Sequence, residues 1–221
     1  MMRHLRGKFL VFDGNEGSGK STQAHLLRDA LGREGLDVLT VRDPGSTRIG
    51  EQIRTILLNP EHLEMNMRCE MLLYMASRAQ MMAETIGPAL DAGKVVVCDR
   101  FVSSTLAYQL GGDGLTAAEI NAVAEVAIRG RWPDMTLLLD MPVSASTTRV
   151  KPKFTLFPDD PDAGVRKDRI ELRPMSYHEQ VRANYLAQAK AAPERYRVIA
   201  ADRNPAAVHA EVVEALRWLD E

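Results

Sequence analysis

The chain has 221 residues, 45% of them hydrophobic and 26% charged, with 28 Lys plus Arg against 30 Asp plus Glu for a net charge of −2. These values describe a globular chain long enough for one large domain, and they exclude any overall attraction to nucleic acid, so an anion site has to be a local cluster of basic residues. The basic start MMRHLRG is followed by a strand-like run too short for a signal sequence, and no apolar run approaches the ~20 residues that span a bilayer, so a cytoplasmic protein with no membrane partner is expected.

In chain order, KFLVFD (Lys8 to Asp13) reads as a buried strand, and TQAHLLRDALGREG as a helix closing at Gly35. LDVLTVRD is a second strand, and GEQIRTILLNP a short helix stopped by Pro60. NMRCEMLLYMASRAQMMAETIGPALDAG is expected to form one long helix with a bend near Gly87-Pro88. KVVVCD is a third strand, followed by helical segments through Gly130. DMTLLLD is a fourth strand, Tyr177 to Ala191 a helix, YRVIAAD a fifth strand, and Ala206 to Leu219 a last amphipathic helix. Continuous apolar strands alternating with helices predict an α/β fold, a parallel sheet covered by helices on both faces. Between the fourth strand and the helix after it, Val150 to Lys167 (VKPKFTLFPDDPDAGVRK) breaks this pattern with three prolines and both charge signs. It reads as a lid inserted in a single domain, residues 1–221. Cys69 and Cys98 sit in apolar stretches without metal-ligand spacing and are expected to be buried, reduced thiols.

Gly14-Asn15-Glu16-Gly17-Ser18-Gly19-Lys20-Ser21 fits G-x-x-x-x-G-K-[ST] between a strand and a helix, the context this phosphate-binding motif requires. Successive backbone N–H groups and the positive end of the helix would cradle the phosphates of a nucleoside triphosphate, with Thr22 next in line. Lys20 would reach the β- and γ-phosphates and Ser21 would hold Mg²⁺. Two apolar strands end in aspartate, at Asp99 and Asp140, and compete to supply the acidic partner of the metal. Asp99, followed at once by Arg100, is the better candidate, and Asp140 is expected to cap the next helix.

Four further segments make the chain resemble the thymidylate kinase family over nearly its whole length. They are RDPGST with GEQIR, EMLLYMASRAQ, DRFVSSTLAYQ and DRIE. The resemblance implies the fold of P-loop NTPases with strand order 2-3-1-4-5, and phosphorylation of dTMP to dTDP by Mg-ATP. Glu70, Tyr74 and Arg78 are spaced i, i+4, i+8 along one helical stripe, where an aromatic face could stack on a base and a guanidinium could meet a base carbonyl. The family pattern gives those roles to Tyr74 and Arg78, the acceptor's 5′-phosphate to Arg54 and Arg100, base contacts to Thr105 and Gln109, and the sugar side to Tyr108. Glu16 takes the place of an acidic loop residue near the transferred phosphate. Because the phosphate loop lacks arginine, the resemblance implies a catalytic cation on the lid, with Arg149 and Arg166 the first candidates and Lys151, Lys153 and Arg169 the next. It also implies a homodimer. The chain departs from the pattern at Asp43, a position the resemblance places among the dTMP contacts and where glutamate is usual, at Ser46, where glycine is, and in its longer, acidic lid. Other nucleoside monophosphates, a deoxynucleoside acceptor, or a non-catalytic nucleotide switch remain the alternatives.

Overall fold

The computed structural model describes residues 2–149, 168–217 and 219. Five strands, β1 (Phe9–Asp13), β2 (Val38–Arg42), β3 (Val95–Asp99), β4 (Met135–Asp140) and β5 (Tyr196–Ala200), form one sheet in the order β2-β3-β1-β4-β5 with every pairing parallel. This is the expected order. β1 is buried at every position because helices cover both of its faces, which is why its sequence is apolar without alternation.

The two faces still separate by residue parity. Leu10 and Phe12 of β1, Val95 and Val97 of β3, and Leu137 and Leu139 of β4 pack with Leu27 and Leu31 of α1 (Lys20–Arg33) and with Val208, Val212 and Leu216 of α9 (Pro205–Arg217). Phe9, Val11, Val96 and Cys98 face the other way, toward Met71 and Met75 of α3 (Met67–Met81) and Ile120, Ala124 and Ile128 of α6 (Ala117–Ile128). A smaller cluster joins Tyr108 of α5 (Val102–Tyr108) to Leu138 and to Val181 and Tyr185 of α8 (Met175–Ala191). The remaining helices are α2 (Arg48–Leu58), α4 (Gly87–Asp91) and α7 (Val143–Arg149).

The chain lays β3 and β2 on one side of β1, then β4 and β5 on the other, and a crevice opens outside the carboxyl ends where that order reverses. Register aligns those ends. Phe12 is level with Asp99, Asp99 with Arg42, and Asp13 with Leu138. Asp13, Asp43 and Asp99 therefore reach the crevice together.

Two expectations are corrected here and a third is refined. The expected long helix runs unbroken from Met67 to Asp91, with a wide π-type turn, Met82–Ile86, joining α3 to α4 beside Gly87-Pro88. Pro88 has no N–H to donate, and the Gly87 N–H instead reaches back to the Met82 carbonyl, an approach a Cβ on Gly87 would block at 2.7 Å. Cys98 is buried, but Cys69 is exposed in the first turn of α3. Asp140 caps no helix: Arg182 of α8 donates to both its oxygens, at 2.7 and 2.9 Å, and this bidentate pair fixes α8 against the end of β4. The lid segment 150–167, with Arg166, Lys151 and Lys153, lies outside the described residues.

Gly14 leaves β1 with φ of +134°, and a Cβ there would sit 2.4 Å from the Leu139 carbonyl oxygen. Gly14→Ala is therefore expected to destabilise the fold by about 2 kcal/mol or more. That corresponds to a fall of roughly 4–8 °C in Tm, measured by thermal unfolding; an unchanged Tm would show that β1 and β4 separate freely at this point.

Candidate functional site

The phosphate loop turns into α1 at Gly19, whose φ of +93° leaves the first N–H groups of α1 open to a cavity of about 960 Å³. Residues Glu16 to Gln23 line one side of it, Asp99 and Arg100 another, and Arg149 with Ala201, Asp202, Asn204 and Pro205 the far end. Gly14 and Asn15 lie beneath: their carbonyls accept the Lys20 ammonium at 3.1 and 2.8 Å. Gly17 and Ser18 belong to the same wall as Lys20, and Ser21 and Thr22 are exposed at its rim. The Ser21 hydroxyl donates to Asp99 at 2.6 Å. Asp99, not Asp140, is thus the strand-end acid beside the loop's hydroxyl, because Asp140 is held by Arg182.

Lys20 is 7% exposed. Burial, and secondarily the Arg100 charge, lower its pKa from 10.5 to about 8. An anion in the cavity would reverse that shift.

A second, narrower cavity of about 80 Å³ opens beside the first, lined by Tyr74, Arg78, Thr105, Tyr108 and Gln109 together with Leu58 and Ile170. Of the helical stripe expected from spacing, Tyr74 and Arg78 face this space and Glu70 is not among its lining residues. Glu16, Asp43, Arg54 and Arg100 line both cavities and mark where they meet. Arg54 donates to the Pro44 carbonyl at 3.0 Å. Arg100 has a left-handed backbone, φ +71°, which turns its side chain back over the site, 5.2 Å above the Tyr108 ring. Its guanidinium donates to the Ser104 and Tyr185 hydroxyls, both at 3.2 Å. Glu16 stands within 4.8 Å of the Asp168 and Glu171 carboxylates, so the DRIE segment closes on the phosphate loop.

Arg78 is fully buried, and all of its N–H groups are engaged. Nε and Nη2 donate to Asp43, Nη2 also to the Phe101 carbonyl at 3.0 Å, and Nη1 to Thr105 Oγ1 at 3.3 Å and Met75 Sδ at 3.0 Å. Asp43 is equally buried, and burial pushes its carboxyl up against the opposing pull of Arg78. Arg78 takes only Oδ2 of Asp43; Oδ1 is buried with no hydrogen-bond partner among the described residues. A base carbonyl at Arg78 would have to replace the weak thioether acceptor. Ser46 does occupy a turn with φ of +62°, where glycine would be unstrained. Its hydroxyl compensates by accepting the Arg42 N–H at 2.8 Å and donating to the Arg42 carbonyl at 3.1 Å. Arg149 ends α7 and donates to the Ala201 carbonyl at 3.0 Å.

Two parts of the site escaped the sequence reading. Asp13 is wholly buried under the phosphate loop and accepts from Ser103, Ser104 and Tyr185, 3.7 Å from the Arg100 guanidinium. The signal was present, because Asp13 ends an apolar strand as Asp99 and Asp140 do. The loop Ala201 to Pro205 carried no signal beyond its place after a strand; Gln23 of α1 anchors it by donating to the Pro205 carbonyl at 2.9 Å.

The chain matches the family model for thymidylate kinase over residues 12–212. It is 44% identical over 211 residues to the thymidylate kinase of Pelotomaculum thermopropionicum, covering 96% of this chain and 93% of the relative. The thymidylate kinase of Chromohalobacter salexigens is 42% identical, with 95% of each chain covered. The crystal structure of thymidylate kinase from Ehrlichia chaffeensis superposes with a TM-score of 0.73 at 29% identity, covering 95% of this chain and 98% of that one.

The displaced Lys20 pKa makes triphosphate binding pH-dependent with a definite sign. The unfolded chain holds this proton up to 10.5, but the empty folded site only up to about 8, so rising pH between those values favours the empty fold and disfavours the anion complex. Triphosphate binding at pH 9 is expected to take up close to one proton, and at pH 7 almost none. Calorimetry in buffers of different ionisation enthalpy reads this directly, and a proton count of zero at both pH values would show that Lys20 stays charged in the empty site.

Proposed function

The chain belongs to the thymidylate kinase family and so phosphorylates dTMP to dTDP with ATP as the donor, and we propose that it does this by binding the two nucleotides end to end in the two cavities. The observation that carries the reading is that the large cavity over the phosphate loop and the narrow one beside it share Arg54 and Arg100. Cations at that junction suit the place where one nucleotide's terminal phosphate meets the other's 5′-phosphate.

In this reading the ATP phosphates lie on the loop N–H groups and on Lys20, and the adenine end extends toward Arg149 and the Ala201 to Pro205 loop. Ser21 and Asp99 offer hard oxygen donors side by side, a set that fits Mg²⁺, and they would hold it; bound there, the ion would neutralise charge on the phosphates. The thymine ring enters the narrow cavity against Tyr74, with Arg78, Thr105 and Gln109 at its edge and Tyr108 beside the sugar. An oxygen of the dTMP phosphate attacks the γ-phosphorus while the bond to the β–γ bridging oxygen breaks, and ADP leaves. The attacking oxygen is already ionised, so no side chain has to remove a proton, and alignment together with positive charge is the protein's share. Arg100, held by two hydroxyls and seated over Tyr108, is oriented in advance for that task. Glu16 borders the transfer point, and Arg149 stands on the donor side.

Among the described residues no helix is long and apolar enough to cross a membrane, and a cytoplasmic enzyme suits its substrates. Exposed Ile49 and Ile56 on α2, Leu72 on α3 and Val126 on α6 support a homodimer built on those helices.

A coupled ADP-release assay over nucleosides and monophosphates tests the reading. Turnover is expected with dTMP, weak or absent activity with nucleosides lacking the 5′-phosphate, and loss of transfer in Lys20→Ala with an unchanged fold. Arg149→Ala is expected to lower kcat/KM for ATP by about tenfold or more, with little change in KM for dTMP. Equal turnover on nucleosides and monophosphates would remove Arg54 and Arg100 from the phosphate junction.

A further inference from the structure

Glu70, in the first turn of α3, is wholly buried at the end of the narrow cavity, yet it does not line that cavity. Its Oε2 accepts from Arg169 and, at 2.7 Å, from Arg173, two arginines of the segment that follows the lid. Its Oε1 accepts from the Gln109 side-chain amide at 2.7 Å. A carboxylate carrying two guanidinium partners has no proton to give. It can only accept, so the Gln109 group facing it must be the NH₂, and the amide oxygen must be the opposite terminus. No described residue donates to that oxygen, and Gln109 lines the cavity. A glutamine amide left to itself could present either end to a ligand; this one cannot turn without setting its oxygen against a carboxylate.

We propose that Glu70 is a positioning residue that sets the acceptor-base selectivity, by holding the Gln109 amide with its oxygen toward the cavity. The inference rests on the reading of that cavity as the pyrimidine site. An oxygen fixed there accepts from a ring N–H, which thymine and uracil offer at N3. Cytosine carries a lone pair at N3, and the two acceptors would be set against each other. Arg78 sharpens the point: its N–H groups are already engaged by Asp43, Thr105, Phe101 and Met75, so it has no free donor to offer the base edge. Arg169 also donates to the Leu57 carbonyl at 3.1 Å, and Arg173 lies 4.5 Å over the Tyr177 ring, so the arginines that fix Glu70 are themselves fixed.

The test uses dTMP and 5-methyl-dCMP, which differ only at N3 and C4, with equilibrium binding and kcat/KM measured for each. Glu70→Asp keeps the charge for the two arginines but loses the reach to Gln109; Glu70→Gln keeps the reach but lets the neighbouring amide turn. In either variant that melts cooperatively, the preference for dTMP is expected to shrink by about tenfold, mostly through weaker dTMP binding and KM and with less change in kcat. In a Gln109→Leu background, the same Glu70 substitution is expected to leave the preference where it is. Equal weakening of both monophosphates would reduce Glu70 to a structural anchor and overturn the proposal, as would a changed preference when Gln109 is already absent. A different result tests the reading beneath it: if Gln109→Leu alone keeps the full wild-type preference, the base is not read in this cavity.

Discussion

The parallel register of β2, β3 and β1 is the constraint on which the site depends. Because Phe12, Asp99 and Arg42 are level, three chain segments leave the sheet at the same height and carry Asp13, Asp43, Asp99 and Arg100 into one crevice. Shifting one strand by a residue would turn its apolar set to the wrong face and move its terminal acid away from the loop. Packing of the two hydrophobic faces therefore also fixes the spacing of the charged groups. The core holds the chemistry in place without touching it.

Acids delivered into a crevice must be paired or they cost several kcal/mol each. The molecule pairs its buried acids with neighbouring elements. Asp13 gathers the α5 hydroxyls and Tyr185 of α8, Asp43 holds Arg78 of α3, Glu70 holds the segment after the lid, and Asp140 holds Arg182. The consequence for dissection is direct. Removing Arg78 leaves a buried Asp43 without its partner, so a loss of binding in such a variant mixes with a loss of stability, whereas altering Gln109 frees one oxygen of Glu70 but leaves its two arginines in place.

Strand order and helical layers were legible in the sequence because burial on both faces writes an unmistakable apolar run, and the phosphate loop because its function constrains consecutive residues. The stripe of Glu70, Tyr74 and Arg78 was legible as a stripe, but its internal division was not. Spacing places all three on one face, while only the fold shows that Arg78 is occupied by Asp43 and that Glu70 turns away toward Arg169 and Arg173. Asp140 was misread for the same reason: its partner, Arg182, is 42 residues away. Pairings at such separations leave no local pattern, and the residues that lend a site its orientation are mostly of this kind.

The two cavities then divide the work by different physics. The wide cavity is exposed at its rim and holds a lysine whose pKa burial lowers to about 8; it suits a polyanion whose own charge completes the site. The acceptor side is narrow, and its polar groups are tied down before any ligand enters: Arg78 by Asp43, Gln109 by Glu70, and Arg100 by two hydroxyls. Groups fixed in advance lose little entropy on binding and cannot adjust to a mismatched partner. In the proposed reading, affinity for the donor is made by charge, and selection of the acceptor by hydrogen-bond direction. The carboxylate that would give Gln109 its direction also holds Arg169 and Arg173, so the proposed base selection and the placement of the segment from Asp168 draw on the same buried group.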